Sequence, residues 1–334
     1  MHGKTNAIIR KSEQEFLFIQ TQDFQNNPFA YIIFFIMQPY LQLIRLPLLP
    51  SALGNICLGA LSAGISQTDS LNFILMLFSS AFLYASGMAW NDYFDAGIDA
   101  IERPERPIPS GKISPKNASI FAIILMALGI AFALSVELLR GFSGTTLTIA
   151  LIIAFFILAY DGGGKNFIIG PILMGSCRFF NVLLGWSVVG QPLTEIAFLQ
   201  AGIIGIYIIG VTWYAKYEAE QSNRISLIAA SLIIILALFI GLIFPTFNHQ
   251  ENAPTWLYPY LFFLLMARVV KALLSGVQEP TPRNVQLGVV TCLKSLVLLD
   301  CILAIGVAGW VGLWILLLLA PNLIINRFKK LYST

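Results

Sequence analysis

Residues 71–111 read "LNFILMLFSSAFLYASGMAWNDYFDAGIDAIERPERPIPSG", and this stretch decides the fold. Its first part is an apolar run of about 20 residues, the length a helix needs to cross about 30 Å of hydrocarbon. Three aspartates, Asp92, Asp95 and Asp99, follow within eight residues, and a basic, proline-rich segment comes after them. Ionised carboxylates at the edge of hydrocarbon are costly. Their presence at the end of a spanning segment asks for a chemical reason.

The rest of the chain repeats the apolar pattern. Of its 334 residues 57% are hydrophobic and only 11% charged, against about a quarter charged in an ordinary soluble domain. Candidate spans fall at 41–64, 71–91, 117–136, 145–160, 167–189, 197–215, 225–245, 256–274, 288–306 and 309–326. The last two form either separate passes or one bent helix, so nine or ten transmembrane helices are expected. Helices satisfy their own backbone hydrogen bonds in lipid, and the short alternating segments of a β-barrel are not present. The expected fold is an all-α, polytopic membrane bundle, kinked in its first span at Pro47 and Pro50. No linker divides it: residues 1–28 read as a polar cytoplasmic tail and 29–334 as one membrane domain.

The basic residues orient the bundle. Arg103, Arg106, Lys112, Lys116, Lys165, Lys216 and Arg224 fall with the N-terminal tail on one side, whereas the opposite loops between the first eight spans hold only Arg140. By the positive-inside rule the tail and the loops after spans 2, 4, 6 and 8 face the cytoplasm, and the expected location is the bacterial inner membrane. The four cysteines lie in apolar segments without CxxC spacing, and the two histidines, His2 and His249, lie outside the spans. Imidazole catalysis and Cys- or His-ligated metals therefore drop out. Chemistry must come from carboxylates, Lys, Arg and amides.

Asp92, Asp95 and Asp99 are spaced i, i+3, i+7, which places them within about 60° of one another on a helix. Three anions on one face repel unless a cation joins them, and carboxylate oxygens with open positions suit Mg²⁺, which takes a few carboxylates plus waters and substrate phosphates. The plainer reading, a helix end at the water interface, accounts for one or two acids but not for three on one face. Arg103 and Arg106 follow in a loop that Pro104, Pro107, Pro109 and Gly111 keep from continuing as helix. Arginine forks suit phosphate oxygens; positive-inside signalling suffices for Lys112 and Lys116.

Four further places carry polar residues. "YDGGGKNF" (160–167) is a glycine-rich turn without the P-loop pattern; Lys165 is a candidate phosphate ligand, and Asp161 reads as a turn residue. Arg178 and Asn181 sit inside an apolar span one turn apart. They are either functional, as part of the diphosphate site, or an interhelical hydrogen bond or ion pair, with Asp300 a candidate partner. Asn55 and Arg45 in the first span raise the same question, Arg45 also fitting a snorkelling interface residue. In "TWYAKYEAEQSN" (212–223), Glu218 and Glu220 point about 160° apart on a helix, so one of them, Glu218, is the candidate to join a site. This acidic end of span 6 recurs four helices after that of span 2, as in bundles built from paired halves.

"NDYFDAGIDAIERPERPIPSG" resembles the first aspartate-rich motif, NDxxDxxxD followed by RPxxSG, of the UbiA superfamily of intramembrane prenyltransferases. The order of the other pieces fits: Arg45 and Asn55 in the first helix, Tyr and Lys after the fourth, an acidic end to the sixth. The resemblance covers about residues 40–310. It implies a helical bundle around a lipid-open cavity where Mg²⁺ holds a prenyl diphosphate. Asp92, Asp95 and Asp99 would hold the metal, Asn91 and Asn55 line the site, and Arg103, Arg106 and Lys165 contact the diphosphate. The family's second motif carries aspartates, whereas this chain has glutamates only, so Glu218 stands in its place as metal ligand. "RFFN" and "KYEAE" look closer to the EboC-like relatives.

The expected activity is transfer of a prenyl group from its diphosphate to an aromatic ring or small polar hydroxyl compound. Two other readings compete with it: a transporter using Arg178, Asp300 and Lys294 as an ion path, and a non-catalytic relative that binds a prenyl lipid.

Overall fold

The computed structural model describes residues 28–216, 223–247 and 256–320. Among these the regular structure is all helical. The chain runs through α1 (Pro28–Leu43), α2 (Pro50–Ser62), α3 (Ser70–Glu102), α4 (Pro115–Arg140) and α5 (Thr145–Asp161). It continues through α6 (Gly170–Trp186), α7 (Glu195–Ala215), α8 (Arg224–Ile243), α9 (Leu257–Gln278) and α10 (Pro282–Ala308), which passes into a 3₁₀ helix over Gly309–Leu319.

Seven helical stretches among the described residues are long and apolar enough to cross a membrane, and the α1–α2 pair, bent by 41°, would make an eighth. Two places separate this count from the nine or ten expected. Helix α5 has 17 residues, about 25 Å of rise against about 30 Å of hydrocarbon. The spans expected at 288–306 and 309–326 are one continuous stretch, Pro282–Leu319. The chain is an integral membrane protein, and large apolar side chains such as Ile123, Phe155, Leu232 and Leu264 cover its outer surface.

Helix starts follow local chemistry. Ser114 and Thr281 accept a hydrogen bond from the backbone N–H of Asn117 and Asn284, with Pro115 and Pro282 at the first helical positions. Thr194 and Asn223 cap α7 and α8 in the same way. Where α5 begins at Gly144, which has no capping side chain, Glu137 of α4 substitutes. Its carboxylate accepts from the N–H groups of Ser143, Gly144, Thr146 and Leu147, the anion sitting at the positive end of the helix.

Neighbours in sequence pack as antiparallel hairpins, and α2 packs against both α6 and α10. Small residues permit a close α2–α6 crossing: a Cβ on Gly59 would run into the carbonyl oxygen of Val182, and one on Gly185 into that of Ile56. The α1–α2 break also falls where expected, at Pro47 and Pro50. Arg45 there adopts the left-handed region at φ 48°, the only non-glycine residue to do so among the described residues.

Candidate active site

Helix α3 has 33 residues and is about 50 Å long, so its last turns extend past the hydrocarbon and carry Asp92–Asp99 to one end of the bundle. Beyond it, residues 103–114 fold back under the helix. Ile108 and Ile113 are buried with Leu43, Ala89 and Ala118 in a small apolar cluster, which fixes Arg106 beneath the aspartates. One of its nitrogens, Nη1, lies 2.6 Å from Asp99 Oδ2 and 3.3 Å from Asp92 Oδ1. Asp92 Oδ1 also accepts from Arg45 Nη2 at 2.5 Å. Their side chains are 5% and 4% exposed for Asp92 and Asp99, a burial that isolated carboxylates could not sustain.

Asp95 faces elsewhere. Its Oδ1 lies 2.5 Å from Lys165 Nζ, an ion pair without hydrogen-bond alignment, since that nitrogen is buried with no hydrogen-bond partner. The glycine run explains how Lys165 arrives. Gly163 has φ 129°, a region open to glycine, and a Cβ on Gly164 would collide with the carbonyl oxygen of Ala159. The chain can therefore reverse tightly after α5 and return the lysine to α3.

The three aspartates thus divide: Asp92 and Asp99 share Arg106, and Asp95 takes Lys165. Among the described residues no three Asp, Glu, His or Cys side chains are close enough to share one metal ion. A triple ligand is not what Mg²⁺ requires, because one or two carboxylates with waters and substrate phosphates suffice. Asp92 and Asp99, hard oxygen donors held around one cation, fit that demand.

Above this charged end lies a cavity of about 210 Å³. Leu83, Met88, Ile153, Ile157 and Met174 give it apolar walls, with Tyr84 and Tyr160 among them. Asn91 joins cavity and charges: its Oδ1 accepts from Arg45 Nη2 at 3.1 Å, and its Nδ2 donates to Asp161 Oδ1 at 3.2 Å.

A second polar group sits deeper. Arg178 donates to Ser51 Oγ at 3.1 Å and to Asn55 Oδ1 at 3.4 Å. Asn55 Nδ2 in turn donates to Asp300 Oδ1 at 2.9 Å. Asn181 donates to the Ala52 carbonyl and accepts from Ser80 Oγ, both at 2.8 Å. Arg178 and Asp300 therefore communicate through an amide, with no direct ion pair between them. Lys294, the third member of the expected ion path, is exposed on α10.

Most of the expected site residues converge: Asn91, Asp92, Asp95, Asp99, Arg106 and Lys165 at the charged end, Asn55, Arg178 and Asn181 at the deeper group. Arg103 does not; it is exposed at the end of α3 and joins none of these ion pairs. Glu218 lies outside the described residues. Sequence reasoning undervalued Arg45 and Asp161. Asp161 is 4% exposed and faces the cavity, and its one signal was a carboxylate ending an apolar run. Tyr84 and Ser51 carried none, being ordinary residues of apolar helices.

The UbiA prenyltransferase family model matches residues 52–285. A digeranylgeranylglyceryl phosphate synthase of Methanothrix thermoacetophila is 28% identical over 235 residues, 66% of this chain and 84% of its own length. The Methanopyrus kandleri protein of that name is 36% identical over 154 residues, 45% of this chain and 54% of its own length. Against the latter, and the one from Methanothermobacter thermautotrophicus, the chain spans about half the relative's length. These relatives are archaeal, and neither the expected bacterial membrane nor the EboC-like branch is reflected in their names. Among solved structures, one from work on digeranylgeranylglyceryl phosphate synthase in membranes superposes with TM-score 0.57 at 23% identity, over 82% of this chain and 99% of its own. A UbiA homologue from Archaeoglobus fulgidus bound to GPP and Mg²⁺ gives 0.53 at 14%, over 77% and 99%. At such identities these two likenesses show the fold.

Proposed function

The chain belongs to the UbiA prenyltransferase family, and we propose that it moves a prenyl group from a prenyl diphosphate to an acceptor hydroxyl in a Mg²⁺-dependent reaction. One observation carries this reading. Beside the cavity, at the end of α3, aspartates and cations interleave, Arg45–Asp92–Arg106–Asp99 and Lys165–Asp95, and Arg45 belongs both to this network and to the cavity lining. Such an arrangement presents separate anionic and cationic arms to a ligand that is itself a metal–diphosphate pair.

Asp92 and Asp99, with Asp95 beside them, would hold Mg²⁺, and Glu218 is the candidate second acidic arm. When bound, the metal supplies charge neutralisation to the departing diphosphate. Arg106, Lys165 and Arg45 stand at the same end and take the remaining phosphate oxygens, an electrostatic contribution that grows as the leaving group gains charge. The prenyl C1–O bond breaks with its electron pair on the diphosphate. The hydroxyl oxygen of the acceptor bonds to C1, and its proton passes to the released diphosphate. The apolar walls exclude water, and the faces of Tyr84 and Tyr160 suit an allylic cation. We take this charged end to face the cytoplasm, a reading that the distribution of basic residues supports.

For the acceptor, the names of the relatives describe two geranylgeranyl groups on a glyceryl phosphate. That chemistry favours a hydroxyl beside a phosphate over the aromatic ring also suggested by sequence. The test is incubation of the purified protein with Mg²⁺, a series of prenyl diphosphates, and either alkylglyceryl phosphates or hydroxybenzoates. Mass spectrometry should find one added prenyl unit on the glyceryl phosphate together with released diphosphate. Accumulation of substrate in proteoliposomes without a covalent product would overturn the reading.

A further inference from the structure

The cations around the cavity are not equivalent. Arg45, Arg106 and Lys165 each rest on an aspartate at the charged end. Arg178 projects from α6 into the cavity wall and meets only neutral groups: the Ser51 hydroxyl, the Asn55 amide oxygen and the face of Tyr84, whose centroid is 5.9 Å from its guanidinium carbon. Asp300 is one side chain away, held by the other end of the same amide. It offsets part of the charge from a distance without touching the guanidinium. A guanidinium has five N–H donors, and the two bonds named here leave others free to meet a ligand. Held among neutral partners and apolar walls, its charge is completed best by an anion.

Position separates this arginine from the diphosphate. Tyr84, its ring neighbour, precedes Asp92 on α3 by eight residues, about 12 Å along the helix axis. A diphosphate gripped at Asp92 and Asp99 would end short of that depth, with its prenyl C1 directed toward the cavity that Arg178 lines. An acceptor hydroxyl poised over C1 would then place an anionic group a few bonds away near Arg178.

We propose that Arg178, with Ser51 and Asn55, forms a second anion subsite that binds the anionic group of the acceptor. The inference rests on the prenyl-transfer reading for the word acceptor. The ligand chemistry it names is a phosphate or carboxylate carried near a hydroxyl. Asn55 acts as a positioning residue: with its NH₂ on Asp300, its oxygen must face Arg178.

Binding to the full chain in nanodiscs tests this without turnover. The probes are oleoyl lysophosphatidate against oleoylglycerol, and 4-hydroxybenzoate against phenol, for wild type, Arg178→Gln and Arg178→Lys. One member of one pair should bind wild type about tenfold more tightly for its anion, the scale of a charge-assisted hydrogen bond. Arg178→Gln should remove that preference and Arg178→Lys keep part of it. The Kd for a prenyl diphosphate with Mg²⁺ should stay within about twofold in both variants, which also reports that the site is folded. A preference in the lysophosphatidate pair identifies a phosphate acceptor, and one in the hydroxybenzoate pair a carboxylate. No anion preference in wild type overturns the subsite, as does a loss of prenyl diphosphate binding in Arg178→Gln as large as the loss of the anion. Failure of prenyl transfer itself shows separately, as absence of product from wild type.

Discussion

Arg106 Nη1 bridges the first and last aspartates of the motif, 3.3 Å from Asp92 Oδ1 and 2.6 Å from Asp99 Oδ2. A single nitrogen thus holds together two carboxylates seven residues apart on α3, and the proline-rich loop exists in this shape to deliver it. Replacing Arg106 by Ala should raise the KM for prenyl diphosphate about 10–100-fold, the worth of about 1.5–3 kcal/mol for hydrogen bonds to a charged group. Arg106→Lys, which keeps the charge but lacks the fork, should fall between. Steady-state kinetics at saturating acceptor would show this; an unchanged KM in both variants would remove Arg106 from the diphosphate site.

Asp161 links to the same end through Asn91. Asp161→Ala should lower kcat/KM about tenfold by freeing the Asn91 amide, one hydrogen bond's worth of orientation. Asp161→Asn, which retains an acceptor oxygen, should lose much less. Equal losses in the two variants would point to charge instead of to the hydrogen bond.

Much of this site was legible before any coordinates. The i, i+3, i+7 spacing placed the aspartates on one helical face, and the apolar run before them set that face at a membrane boundary. What spacing does not encode is the partner of each side chain. Asp95 differs from Asp92 by about 60° around the helix, enough to give it Lys165 in place of Arg106. The difference comes from the return path of the "GGGK" turn, a tertiary fact. Asp161 looked like a turn residue because its burial depends on Asn91, 70 residues earlier in the chain. The helix count was the weakest expectation. Hydropathy does not fix whether a 17-residue apolar helix counts as a full span, nor distinguish two passes from the continuous stretch Pro282–Leu319.

Glu137 should matter for stability and not for catalysis. It is 2% exposed and caps α5 at the end of the bundle away from the aspartates. Glu137→Ala strands several backbone N–H groups and should cost about 1–3 kcal/mol, read as a lower midpoint of thermal unfolding in detergent. The KM for prenyl diphosphate of the folded fraction should be unchanged.

The α2–α6 crossing makes a sharper packing prediction. Gly59→Ala and Gly185→Ala each place a methyl against backbone that has no room to give, and overpacking typically costs about 1–3 kcal/mol. Both should lower the yield of folded protein on size-exclusion chromatography. Gly202→Ala on α7, where a Cβ meets nothing within 4 Å, is the matched control and should be tolerated.

The central claim is that the aspartates of α3 serve a metal-assisted departure of diphosphate. It is tested most directly by the initial rate of diphosphate release at varied Mg²⁺ in wild type, Asp92→Asn and Asp95→Asn, each first shown to be folded and membrane-inserted. The account predicts a Mg²⁺-dependent rate in wild type and its loss in both variants. Turnover that keeps its Mg²⁺ dependence and rate in either variant would contradict it.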